Sequence, residues 1–154
     1  MNDPGLRDLD ELLRRLEPVL RPGEFVVVST TSEVTLPALA TVDEDEGRTL
    51  VLERHEADAF RLGHVGTFAW ITLTVHSSLE AVGLTAAVAR ALADRDIPCN
   101  VLAGFHHDHL LVPSARANEA IAALRDLSAS ATASDTASEA APDAASDAGG
   151  QPSL

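Results

Sequence analysis

The chain of 154 residues contains a single cysteine and no lysine. Because a disulfide bond needs two thiols, Cys99 cannot form one within the chain, and a reducing compartment is expected. No apolar run approaches the ~20 residues that cross a bilayer. The acidic N-terminus, MNDPGLRDLDEL, lacks the apolar segment of a secretory signal. These absences favour a cytoplasmic protein without a membrane span.

Positive charge is also scarce. The chain has 11 arginines against 24 aspartates and glutamates, and its formal net charge is −13 at pH 7. A nucleic-acid binder needs a cationic surface, and anionic membranes attract one as well. We therefore expect neither nucleic acid nor membrane as a partner, and solubility is a sufficient reason for the excess of acid.

Motifs of common catalytic and cofactor sites are missing. The sequence has no Gly-x-Ser-x-Gly elbow, no GxGxxG loop and no Walker loop. Cys99 is predicted to share the core side of a strand with Val101, where a thiol is inert packing. We therefore expect no enzymatic activity and no bound cofactor.

The most informative part of the chain is its second half. Alternating polarity predicts a strand over 70–76, and an amphipathic stripe predicts a helix over 84–92. Pro98 then precedes two further predicted strands, 99–103 and 110–112, and a helix over 114–127. This order is typical of a small α+β fold with helices on one face of an antiparallel sheet.

The first half shows a similar set of elements. Its patterns predict a helix over 3–17, ended by Pro18 and Pro22-Gly23, and an apolar strand over 25–29. Two short strands, 39–42 and 49–52, flank an acidic hairpin tip, and a helix over 53–62 follows. The acids of the tip lack the spacing of a calcium loop, so a solvated turn is expected. From residue 129 the sequence is poor in large apolar side chains, which predicts a disordered tail over 129–154.

Three pieces of the sequence resemble a known family. VHSSLEAVGLTAAVARALADRDIPCNVLAGFHHDHLLVP, LRRLEPVLRPGEFVVVS and ATVDEDEGRTLVLER are similar to a bacterial family of small ACT domain proteins, related to the regulatory modules of aspartate kinases. The resemblance implies two tandem ferredoxin-like ACT modules, 1–66 and 67–128, with ligand-responsive regulation. Neither half has the full βαββαβ order of an ACT unit, so we expect strands to be lent between halves or between chains.

The bend between the strand and the helix of the second half is the main candidate site. A helix N-terminus attracts anions, and Ser77 and Ser78 add hydroxyls. In ACT modules this bend contributes to an effector pocket, usually at an interface with a second module. The resemblance therefore implies an amino-acid ligand contacted by Ser77, Ser78, Leu79, Glu80, Ala81, Val82 and Gly83, with Asn100 and Val101 on the adjoining strand. The alternative is that Ser77-x-x-Glu80 is only a capping box that starts the helix.

A second candidate is the histidine-rich bend His106-His107-Asp108-His109. Imidazole and carboxylate ligands suit zinc and similar metals. However, strand alternation would place His107 and His109 opposite His106 and Asp108, so one ion could not be enclosed unless the bend breaks this alternation. Polarity of the hairpin and packing at an interface are the alternative, and no metal is assigned.

Three functions remain open from the sequence. The chain is expected to be a non-catalytic regulatory sensor of an amino acid or related metabolite. The alternatives are a structural or oligomerisation module without ligand and a histidine-rich metal binder. Trp70, the single tryptophan, is predicted to project from the helix-free side of the sheet, where the other half of the chain or a homodimer partner would cover it.

Overall fold

The computed structural model describes residues 5–32 and 35–139 of the chain. Four α-helices and six strands follow one another within these residues. They are α1 (Leu9–Arg14), β1 (Pro18–Thr30), β2 (Ala40–Glu44), β3 (Gly47–Glu53), α2 (Arg54–Ala59), β4 (Phe68–Leu73), α3 (Leu84–Ala93), β5 (Asn100–Ala103), β6 (Asp108–Pro113) and α4 (Ala117–Glu139), with a 3₁₀ turn at Ser114–Arg116. No helix of the described residues is long and apolar enough to span a bilayer.

The six strands form one antiparallel sheet in the order β2-β3-β1-β4-β6-β5. Helices α1, α3 and α4 pack on Ile71 and Leu110, which pair across β4 and β6. Helix α2 packs through Ala57 on Val26 and Leu52, which pair across β1 and β3. Because both pairs lie on the same side of the sheet, the predicted α+β, ferredoxin-like fold with helices on one face is confirmed.

The two central strands serve both halves of the chain. Strand β4 pairs with β6 on one side and with β1 on the other, while β1 also pairs with β3. In the second half, the order β1-β4-β6-β5 is that of a ferredoxin-like unit whose closing strand is borrowed from β1. In the first half, β4 closes the order β2-β3-β1 in the same way. The expected lending of strands therefore occurs within this chain.

The N-terminal elements differ from their prediction. The helix predicted over 3–17 starts only at Leu9, because Asp8 is its N-cap and its carboxylate accepts the Glu11 N–H at 2.8 Å. Strand β1 starts at Pro18 and continues through Pro22-Gly23, which were predicted to be a break. The strand continues because the register against β4 shifts between Arg21 and Phe25, and this bulge accommodates a proline that has no N–H to donate.

The predicted disordered tail also requires a correction. Helix α4 extends to Glu139, so the tail predicted to begin at residue 129 is helical at its start. The well-packed beginning of α4, with Ala120 and Leu124 buried, provides a nucleus. Alanine-rich sequence then propagates the helix at little cost per residue. The rest of the predicted tail, 140–154, lies outside the described residues.

Candidate functional site

Strand β4 ends at Leu73, so the strand predicted over 70–76 is three residues too long, and the connection to α3 runs from Thr74 to Gly83. The predicted bend, Ser77 to Gly83, is the second part of this loop. Helix α3 begins only at Leu84, and its N-cap is Gly83, which has a φ of 103° and makes no side-chain cap. The Ser78 hydroxyl accepts the Glu80 N–H at 3.2 Å within the loop. The capping-box interpretation of Ser77 and Glu80 is therefore wrong, because the left-handed residue 83 separates both side chains from the first helical turn.

The N-terminal segment Gly5–Arg7 runs along this loop. The Leu6 N–H donates to the His76 carbonyl at 2.9 Å, and the Ser78 N–H donates to the Leu6 carbonyl at 2.7 Å. Arg7 forms an exposed ion pair with Glu80. A backbone donor of the loop and its one carboxylate are therefore already engaged by the chain itself.

We expect Gly5 to be required for the N-terminal segment to pack against the loop. Gly5 has a φ of +76°, and a β-carbon there would lie 2.8 Å from the backbone of Ser77 and Ser78. Gly5→Ala should therefore destabilise the protein by about 1–3 kcal/mol, from backbone strain and loss of close packing. Thermal unfolding and hydrogen exchange of the Ser78 amide measure the effect.

Gly63→Ala is the matched control, because Gly63 has no neighbour within 4 Å of a β-carbon and no positive φ. This control should unfold like the parent chain. Equal unfolding temperatures for both variants, with unchanged protection of the Ser78 amide, would contradict the close docking.

The structure places the predicted ligand contacts at different positions. Ser78 is buried, whereas Leu79 and Val82 are 68% and 83% exposed. Asn100 and Val101 lie on β5, where Asn100 pairs with Leu111 and is not brought to the loop. A ligand role for the predicted set stays a prediction: Ser77, Ser78, Leu79, Glu80, Ala81, Val82, Gly83, Asn100 and Val101.

A cavity of about 330 Å³ lies beside the start of the loop. It is lined by Thr74, Val75 and His76, which directly follow β4, and by Gly5, Leu6 and Arg15. The second group is far away in sequence and carries no motif, so periodicity and spacing could not have found it. The sequence predicted the bend, but it did not predict that Gly5, Leu6 and Arg15 lie beside it.

The histidines of the β5–β6 hairpin have separate neighbours. The His106 ring lies 5.2 Å from His76 and 5.0 Å from Phe105. His109 faces the other way, with Nδ1 3.0 Å from the Thr72 hydroxyl and its ring 5.0 Å from Trp70. In the part of the chain that the structure describes, no group of three or more histidine, cysteine, aspartate or glutamate residues could hold a metal ion.

Partial burial shifts the pKa values of three side chains on or next to this hairpin, His109, Asp108 and Cys99. Burial lowers the pKa of His109, and the nearby His107 lowers it further. Burial also raises the pKa of Asp108. The Cys99 thiol has a pKa raised by burial, so it is protonated near neutral pH and is a poor nucleophile.

Known proteins share both the sequence pattern and this architecture. Two family models described as ACT domain match residues 4–69 and 67–126. A Vibrio cholerae protein of unknown function, described as a possible transport protein, is 42% identical with a TM-score of 0.72, over 78% of this chain and 95% of its own. No curated protein sequence shows a significant match.

More distant structures share the fold. The regulatory subunit of aspartate kinase from Thermus flavus is 8% identical with a TM-score of 0.55, over 72% of this chain and 96% of its own. Escherichia coli aspartokinase III, in complex with aspartate and ADP, is 12% identical with a TM-score of 0.56, over 82% of this chain and 34% of its own. Because the two matched regions together span most of the sequence, the chain belongs to the ACT domain family and carries two ACT domains in tandem.

Proposed function

We propose that this protein senses a small metabolite of the amino-acid class and passes its occupancy to a partner without catalysis. Its two ACT domains, together with their structural likeness to aspartate kinase regulatory domains, support a regulatory, ligand-sensing role. The amino-acid ligand and a cytoplasmic setting are part of the proposal, as is assembly into a homodimer.

The observation that carries the proposal is the cavity beside the strand-to-helix loop. Its volume of about 330 Å³ is near the lower end of ligand pockets, which start at roughly 300 Å³, and this suits a small metabolite. The bend that ACT modules use for effectors opens at the same place. The site therefore combines the expected backbone feature with enough space for an amino acid.

The polar groups of the cavity suit a zwitterion. Arg15 is exposed and pairs with Glu11 at 2.7 Å, one turn away on the same side of the chain, so its guanidinium can turn to a ligand carboxylate at small cost. The Thr74 hydroxyl donates to the Glu17 carbonyl at 3.0 Å, which leaves its lone pairs to accept from an ammonium group. Both ends of an amino acid then have a partner.

A thermal-shift screen against the amino acids tests this proposal. A ligand at a hundred times its dissociation constant should stabilise the protein by about 2.7 kcal/mol. Arg15→Gln should abolish the shift, because a neutral amide cannot replace a bidentate pair with the carboxylate. Arg14→Gln, on the neighbouring position of α1, does not alter the lining and should keep the shift.

Two outcomes would count against amino-acid sensing at this cavity. If no amino acid shifts the unfolding temperature, the structural or oligomerisation module becomes the better interpretation. If a shift occurs and is lost equally in Arg14→Gln and Arg15→Gln, the cavity is not the site.

A further inference from the structure

The helix-free face of the sheet contains a second cavity, unrelated to the loop. Its volume is about 270 Å³, and residues from all six strands line it. Both edge strands contribute, with Ala40 and Val42 from β2 and with Asn100 and Leu102 from β5. Since the edges are the two strands farthest apart in the sheet order, the sheet must curl to bring them around one space.

The cavity has a buried apolar floor on the face of the sheet that the described helices leave uncovered. Phe25, Val51, Trp70 and Leu111 form one buried cluster on this face. Phe68 and Leu102 pack against this cluster, and the Arg21 guanidinium lies 5.7 Å from the Phe25 ring and from the Trp70 ring. The cavity is therefore a formed apolar hollow within one chain, and its mouth is near Val42, which is 49% exposed.

The chemistry of the lining selects an uncharged occupant. None of the nine lining side chains carries a charge: Val27, Ala40, Val42, Thr49, Val51, Phe68, Asn100, Leu102 and Leu111. The Thr49 hydroxyl already donates to Glu44, so it can only accept from a ligand, and the exposed Asn100 amide is the side-chain donor that the lining offers. A carboxylate or ammonium entering here would lose its hydration without a partner, so a free amino acid is a poor fit.

We propose that this cavity binds one small neutral apolar molecule that is hydrogen-bonded at one end to Asn100. An apolar cavity of about 150 Å³ holds benzene, so a volume of about 270 Å³ accommodates up to two fused rings or an aliphatic group of similar size. A second copy of the chain fits less well, because two sheets packed face to face stay about 10 Å apart. The curled edges prevent such a sheet from reaching the buried floor.

The test uses 1-aminonaphthalene, a neutral two-ring fluorophore. On the full chain its emission should rise and shift to the blue in a saturable way, with energy transfer from Trp70, the single tryptophan. Ala40→Phe fills the cavity and should weaken the affinity at least tenfold. Thr41→Phe adds the same ring on the opposite side of β2, paired with Leu50, and should leave the affinity unchanged.

A charged variant of the protein and a charged analogue of the probe test whether the cavity accepts only a neutral molecule. Val42→Asp places a charge at the exposed mouth, so it should fold normally by circular dichroism and still lose binding. 1-Naphthoate has the same rings with a negative charge and should not displace the probe. Equal affinity in Ala40→Phe and Thr41→Phe would overturn the proposal, as would a stable dimer by sedimentation that excludes the probe. Neither result depends on the amino-acid screen, which concerns a different cavity.

Discussion

Residues 1–66 and 67–128, produced as separate chains, are each expected to be unfolded. The first fragment keeps β1 but loses β4, against which Pro18 to Arg21 pair. The second keeps β4 but loses β1 and also α1, whose Leu12 is fully buried in the core under α3 and α4. Fragments of this size are marginal even with a complete core. Circular dichroism should show no cooperative thermal transition for either fragment.

Mixing the two fragments should restore a folded signal, because β1 and β4 can pair again across two chains. Residues 1–128 are the matched control. This shortened chain keeps all six strands and the buried beginning of α4, so it should unfold in one transition. A cooperative transition in either fragment alone would show that the predicted boundary between residues 66 and 67 separates independent domains.

Phe25→Ala should remove about 3–5 kcal/mol from the free energy of unfolding, which is a large share of the roughly 5–15 kcal/mol of an ordinary domain. Phe25 is fully buried on the shared strand β1, opposite Phe68 of β4 and Glu53 of β3. Its ring lies 5.7 Å from the Trp70 ring. Truncation would leave a void where the two halves meet, and the nearby chain could close it only by moving both central strands.

Urea denaturation followed by Trp70 fluorescence measures this loss. Phe60→Ala removes the same ring from a side chain that is 51% exposed, and it should change stability by no more than about 0.5 kcal/mol. Equal stability of the two variants would show that the buried Phe25 ring does not stabilise the contact between the two halves.

The two cavities differ in the charge of the side chains that line them. The cavity beside the loop has Arg15, Thr74 and His76 in its lining, and we propose it for a zwitterionic metabolite. The cavity on the helix-free face has an uncharged lining, and we propose it for a neutral molecule. Strand β4 lies between the two proposed sites, because Phe68 at its start lines one cavity and Thr74, just beyond its end, lines the other.

The local sequence pattern predicted the structure correctly where a single helix or hairpin is formed by residues close in sequence. The stripe predicted for the helix over 84–92 is the observed one, with Leu84, Val88 and Leu92 buried in α3. The acidic hairpin also formed where predicted, as Glu44 pairs with Gly47 around a two-residue turn. Both depend on contacts between residues that are close in sequence, and periodicity reports such contacts directly.

Pattern was a poor guide at the N-terminus and at the site. Pro22-Gly23 indicates a break, yet β1 continues because Pro18 and Val19 pair with Leu73 and Thr72 of a distant strand. Likewise, nothing local to Gly5 and Leu6 predicts that they pack along the loop that starts at Ser77. These features depend on pairing across many intervening residues, which no local window contains.

The sequence by itself determined the class of fold, the helix-covered and bare faces of the second half, and the family. It did so because alternation, stripes and turn residues act over a few positions. Only the tertiary structure decided that β1 and β4 are shared, that the N-terminal segment packs along the loop, and that six strands line one apolar cavity. Those outcomes depend on hydrogen-bond register and sheet curl, which are properties of the whole assembled sheet.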